Sequence, residues 1–203
     1  MKKLVLLALA VLSISPMVMA ADKKKRSKET TKTEAKADDK EINWMTLDEV
    51  QAAMKKQPKK VFMDVYTDWC GWCKVMDKKT FSNPDVIRYM NQNFYAVKFN
   101  AERKDSINFM GKMYGFVPEY RANMLAVELM RGQLSYPTSV ILEENFQNPQ
   151  AIPGYLDVKT IEKVLKYIGG DVYKTKQFPE FEKEFVTTWS EAAPTAATPA
   201  PGH

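Results

Sequence analysis

Cys70 and Cys73 are the chain's two cysteines, and they stand together in Trp69-Cys70-Gly71-Trp72-Cys73-Lys74. Thiols at C-x-x-C spacing can open and close a disulfide. A thiolate on the first attacks a foreign disulfide, and the second attacks the mixed disulfide and releases the bound partner. The first thiol must then ionise near neutral pH, which a helix N-terminus favours through its unpaired N–H groups and partial positive charge. Two other readings exist. A C-x-x-C can be half a zinc site, but there is no second cysteine pair, and the one histidine, His203, is the last residue. It can also be an inert cross-link, although closing so short a loop removes little chain entropy. The lone terminal histidine also sets aside Ser-His, Cys-His and multi-His chemistry.

The flanking residues supply the required placement. Val61 to Tyr66 is an almost unbroken apolar run of strand length, as in a strand buried on both faces. Cys70 to Thr80 reads as a helix, so the first cysteine falls at its N-terminus. Asp64 interrupts the apolar run. Burial raises the pKa of such a carboxyl, and the acid can then exchange a proton with Cys73. Lys98, on the next predicted strand, is its obvious ionic partner.

Other elements follow from pattern. Thr46 and Glu49 have capping-box spacing ahead of Leu47, Val50 and Met54, which recur at helical period until Pro58. Asn83-Pro84 offers a cap and an N1 proline for a helix over 85–91. Strands are expected at 94–99 and 139–142, with Ala151-Ile152 pairing back as a hairpin. Helices are expected at 103–114, 121–130, 157–168 and 178–189. Met110, Met113, Met124 and Met130 suit core filling better than a substrate surface or soft-metal site. The order α-β-α-β-α-β-β-α, with an insertion over 103–135, gives a mixed sheet covered by helices.

The ends read differently. Residues 1–20 pair Lys2 and Lys3 with an apolar run and a Val18-Met19-Ala20 cleavage pattern, which predicts a secretory signal peptide, with an uncleaved anchor as the rival reading. Residues 21–40 form a charged, low-complexity linker, and 191–203 an Ala/Pro/Thr-rich tail. One domain over 41–190 remains. The chain of 203 residues carries a net charge of +5. The linker has eight basic and five acidic residues and the leader two lysines, which leaves 20 of each sign in residues 41–203. A neutral domain gives no support to nucleic-acid binding.

Asp64 to Lys74, DVYTDWCGWCK, together with Met76, Phe81 and Asn83-Pro84-Asp85-Val86, resembles the thioredoxin superfamily. It is similar to exported members close to the C-terminal domain of the periplasmic disulfide-reducing membrane transporter. The resemblance implies a thioredoxin-like α/β fold, a mixed sheet flanked by helices, with an insertion before the cis-proline strand and an extra C-terminal helix. It implies that Cys70 is the nucleophile, Cys73 the resolving thiol and Asp64 the buried acid. Pro137 is then the cis-proline. Trp69, Gly71, Trp72, Tyr136, Pro137 and Thr138 form the substrate surface, with Lys74 and Lys98 in support. Gly154 matches the glycine that keeps the groove open. Trp69 is either a flank of the sulfur or partly core.

The implied activity is thiol–disulfide exchange, in the reducing direction, on disulfide-containing proteins in the periplasm or outside the cell. A membrane thiol donor would restore the dithiol. No cofactor or metal is implied, and a monomer is expected. An oxidase or isomerase, or a non-catalytic binding module, are the alternatives. Trp72 stands where many thioredoxins carry proline. Residues between the cysteines tune the potential, which spans about −270 to about −120 mV across such proteins. Catalysis requires that the Cys70 sulfur be ionised and reachable.

Overall fold

The computed structural model describes residues 40–191. The predicted leader, most of the linker and the tail lie outside the described residues.

A five-stranded sheet runs through the domain in the order β1-β3-β2-β8-β9. Its strands are β1 (Trp44–Met45), β2 (Lys60–Tyr66), β3 (Phe94–Asn100), β8 (Thr138–Leu142) and β9 (Gln150–Pro153). β2 pairs in parallel with β3 and antiparallel with β8, and β8 continues antiparallel to β9. Alternation along β2 divides the core. Val61, Met63 and Val65 face a cluster built with α1 (Leu47–Lys56) and the inserted segment. Phe62 faces a second cluster, made with α2 (Gly71–Lys79), α3 (Pro84–Asn93) and α5 (Val158–Gly169). This is a thioredoxin-like α/β fold, helices on both faces of a mixed sheet.

Local chemistry sets the helix ends. Thr46 and Glu49 form a reciprocal capping box on α1. Asn83 caps α3 through Asp85 N–H and Val86 N–H, with Pro84 at its first turn. Asp157 caps α5.

Three expected helices are corrected. Residues 103–114 form a hairpin, β4 (Ile107–Phe109) with β5 (Lys112–Tyr114), turning at Met110 and Gly111, both at positive φ. β4 buries Ile107 and Phe109 and exposes Asn108 between them, a period of two that a helix cannot provide, and β5 adds Tyr114 to the same α1-side core. The helix expected at 121–130 is only α4 (Met124–Leu129), because Ala122–Asn123 is strand β7, paired with β6 (Phe116–Val117). The last helix, α6 (Phe178–Glu184), stops early. Beyond it the chain runs along α5 and buries Trp189 against Tyr89. The methionines divide: Met130 is buried, while Met110 and Met113 are exposed.

Candidate functional site

β2 ends at Tyr66, and the chain turns through Thr67, Asp68 and Trp69 into α2. The Cys70 N–H donates to the Thr67 carbonyl at 3.1 Å, which closes that turn. Cys70 is the N-cap of α2, and its Sγ accepts the Cys73 backbone N–H at 3.1 Å. Sulfur thus takes the place of the oxygen that usually satisfies the first turn, so charge developing on it would meet an N–H and the positive end of the helix. The two cysteines are joined as a disulfide. A Cβ at Gly71 would meet nothing within 4 Å, so packing does not demand glycine there.

Trp69 and Trp72, within the cysteine motif, each pack on a tyrosine. Trp69 meets Tyr136 edge to face at 5.9 Å, and Trp72 lies tilted on Tyr155 at 5.4 Å. Both tryptophans are mostly exposed, at 67% and 62%, so Trp69 lies at the surface and not in the core. The Trp69 indole N–H donates to Glu102 at 3.0 Å. Tyr136–Pro137 is a cis peptide bond. The Pro137 carbonyl accepts the Gly154 N–H at 2.8 Å, and Gly154 has φ +98°, a conformation that favours glycine. Thr138 is buried and donates to the Ser135 carbonyl at 2.8 Å. Lys74 is exposed on α2. The cysteines themselves are each only 3% exposed. In the disulfide state Cys70 is therefore almost closed to solvent, which goes against the expectation of a reachable sulfur.

Asp64 lies on the α2-facing side of β2, 1% exposed. Its register partners are Lys98 on β3 and Ser139 on β8, so the three form one row beneath the C-x-x-C helix. Lys98 Nζ is 3.0 Å from Asp64 Oδ2 and also pairs with Asp77 of α2. Among the described residues neither Asp64 oxygen accepts a well-aligned hydrogen bond, and the buried Thr67 and Ser139 hydroxyls lack partners too. Burial pushes Asp64 up to about 6. The Lys98 ammonium opposes that rise, and Asp77 adds to it. Burial alone would lower Lys98, but Asp64 and Asp77 outweigh it and hold the ammonium above the usual lysine value. The rings of Trp44, Tyr66 and Phe81 stand 5.2–5.4 Å from that ammonium.

The structure thus brings together Cys70, Cys73, Trp69, Trp72, Tyr136 and Pro137, with Asp64 and Lys98 beneath them. Sequence reasoning missed Glu102, Asp77, Tyr155 and Ser139. Asp77 alone carried a signal, seven residues after Cys70 on the same helix.

Residues 24–177 match the family model Thioredox_DsbH, described as a protein of unknown function, DUF255. The chain belongs to this family. It is 35% identical over 167 residues to the thiol:disulfide interchange protein DsbD of Escherichia coli K12, covering 81% of this chain and 26% of DsbD. It is 32% identical over 54 residues to mouse spermatogenesis-associated protein 20, covering 27% of this chain and 7% of that protein. The chain therefore spans only a fraction of the curated relatives it matches. A thioredoxin from Thermus thermophilus superposes with a TM-score of 0.48 at 16% identity, over 66% of this chain and 93% of its own. Family membership and the C-x-x-C disulfide make this a thioredoxin-like protein with a redox-type dithiol pair.

Proposed function

We propose that the protein is a thiol–disulfide oxidoreductase that reduces protein disulfides outside the cytoplasm. The observation that carries this reading is the Cys70 sulfur at the N-cap of α2, accepting a backbone N–H, with Tyr136 of the cis-Pro137 segment packed on Trp69 of the C-x-x-C motif. DsbD's printed name, thiol:disulfide interchange protein, supports the reaction class.

In the cycle, the Cys70 thiolate attacks a substrate disulfide. An S–S bond forms to the substrate and one substrate sulfur leaves as thiolate. Cys73 gives its proton to the Asp64 carboxylate and attacks Cys70 Sγ. The Cys70–Cys73 disulfide forms and the second substrate sulfur leaves; one substrate thiolate takes up the Cys73 proton as Asp64 releases it, and the other takes from solvent the proton that Cys70 gave up on ionising. The substrate gains two electrons and the dithiol loses them. The main chain at Tyr136, next to cis-Pro137, would pair with the substrate strand. Trp69 and Trp72 give it apolar flanks, with Gly71 between them and Lys74 and Lys98 in support; Thr138, buried and bonded to the Ser135 carbonyl, would hold the cis-Pro137 segment rather than meet the substrate with its side chain.

The signal-peptide reading of residues 1–20, with cleavage near Ala20, supports export to the periplasm or beyond. Residues 21–40 would then tether or space the domain, and 191–203 would trail from it. A monomer re-reduced by a membrane thiol donor fits this arrangement. Among the described residues no helix is long and apolar enough to cross a membrane.

The 3% exposure of Cys70 favours one second reading, a binding module of the same fold whose disulfide is idle. Two measurements separate them. Purified protein should precipitate insulin by reduction, and Cys70→Ser should abolish this. In the reduced protein, Cys70 should alkylate at least about tenfold faster than a free thiol at neutral pH. Equal turbidity for both proteins, or ordinary alkylation, would leave the module. The equilibrium potential of the pair then assigns direction, with a value towards about −270 mV supporting reduction and one towards about −120 mV an oxidase or isomerase.

A further inference from the structure

Ser139 is fully buried, yet its hydroxyl has no partner among the described residues. Buried hydroxyls are almost always hydrogen-bonded, and leaving one unpaired costs about 1–3 kcal/mol. A sheet position between Thr138 and Val140 that faces an apolar helix layer would ordinarily hold a residue such as the neighbouring Ile141. What distinguishes position 139 is its register partner, Asp64, on the same face of the adjacent strand. Directly opposed residues on antiparallel strands bring their Cβ atoms to about 4.5–5.5 Å. That separation puts a serine hydroxyl within one side-chain rotation, or one water, of the carboxylate.

The groups around Asp64 are few. Lys98 approaches Oδ2 from β3, and Asp77 lies behind Lys98 on α2. Cys73, in the first turn of α2, is held in the disulfide. On the β8 side the carboxylate has Ser139 as its register partner, and both of its oxygens have hydrogen-bonding capacity unused.

We propose that Ser139 is a positioning residue for Asp64. Its hydroxyl donates to the ionised carboxylate from the side opposite Lys98 and sets how readily that carboxylate takes a proton. Lys98 supplies charge from one strand and Ser139 a dipole from the other, so the acid is held in the row from both sides. When Asp64 is protonated, the same hydroxyl turns to accept from it, because serine both donates and accepts. The acid then has a partner in either state, which a proton acceptor that must release its proton on every turnover requires.

This inference deepens the reading of Asp64 as the proton acceptor of Cys73. Its test uses the oxidised protein without substrate, so it stands or falls apart from the disulfide-reductase reading. The Asp64 side-chain carboxyl carbon is titrated by NMR in the wild type, Ser139→Ala and Ser139→Thr. Loss of the donor should weaken the acid about threefold or more, moving the midpoint up by about half a pH unit, and threonine should restore it. The second measurement is urea unfolding at about pH 8 and about pH 4. A donor to the ionised carboxylate makes Ser139→Ala more destabilising at the higher pH. The proposal is overturned if the alanine midpoint matches the wild type, or if alanine stabilises the fold equally at both pH values, as removal of an orphaned hydroxyl would.

Discussion

The domain buries two carboxylates almost completely, and they behave in opposite ways. Asp64, beneath the disulfide, is pushed up to about 6 by burial, with one ammonium at 3.0 Å and no well-aligned hydrogen bond. Glu162, in α5, has no exposed surface and is held below the usual carboxylate range. Burial would raise it too, but its partners outweigh that. It accepts from Lys166 Nζ at 2.7 Å, the Thr188 hydroxyl at 2.6 Å, and the backbone N–H groups of Thr188 and Trp189 at 3.0 Å. Burial alone therefore does not mark a functional acid; the number of donors decides. Glu162 is a fixed charge that fastens the C-terminal segment to the domain. Asp64 has a nearby ammonium and no well-aligned hydrogen bond among the described residues, the condition that the proposed proton transfer from Cys73 calls for.

The largest expected effect tests the fixed charge. Glu162→Ala removes the acceptor for both backbone N–H groups and leaves Lys166 without its carboxylate. Loss of one partner of such a buried cluster costs about 3–5 kcal/mol. Urea unfolding should show that loss, and the segment carrying Trp189 should become sensitive to protease. An unchanged midpoint would mean that Trp189 packing on Tyr89, not the carboxylate, holds the segment.

The second test concerns pH. Asp64 rises from an ordinary 3.8 to about 6 on folding, so the folded state favours its protonated form. That contribution is complete below about pH 4 and is lost as pH rises through about 6. It amounts to about 3 kcal/mol for a shift of roughly two units. Glu162 has the opposite sign: its contribution is present at neutral pH and is lost on acidification through its lowered folded value. Asp64→Asn should remove the loss between about pH 4 and 7 from the unfolding profile of the oxidised protein. A profile with the same slope in this variant would assign that slope to other groups.

The contrast also explains what the sequence made legible. Cys70, Cys73 and Asp64 stood out because each breaks a local rule: thiols at a helix start, an acid inside an apolar strand. The capping box at Thr46 and the Asn83-Pro84 start were equally local. Cis-Pro137 came only through the resemblance, since local sequence does not specify the isomer. Glu162 was invisible, because with Lys166 it reads as an ordinary i,i+4 pair on α5, and its other donors lie 26 and 27 residues on. The same distance hid the fate of 185–189. Phe178, Phe181, Phe185 and Trp189 have helical spacing, but Glu162 takes the N–H groups of Thr188 and Trp189 that a helix would use internally. Glu102 reaches Trp69 across 33 residues. The 107–114 hairpin has three-residue strands, too short for their period to separate from a helix.

The smallest expected effect is the sharpest, because it asks each carboxylate how much it depends on its lysine. Lys98→Met removes the ammonium beside Asp64 and leaves Asp77 nearby, so the Asp64 midpoint should climb further, by about one unit or about 1.4 kcal/mol. Lys166→Met removes one of four donor groups from Glu162. The two backbone N–H groups and the Thr188 hydroxyl stay, and the chain fixes both N–H groups whether or not the lysine is present. The Glu162 midpoint should therefore move by less than about half as much. Carboxyl-carbon titrations of the two variants, run side by side, measure the ratio directly. Equal shifts would mean that charge, rather than the count of oriented donors, separates these two acids. The different treatment of the same burial at the two sites would then need another cause.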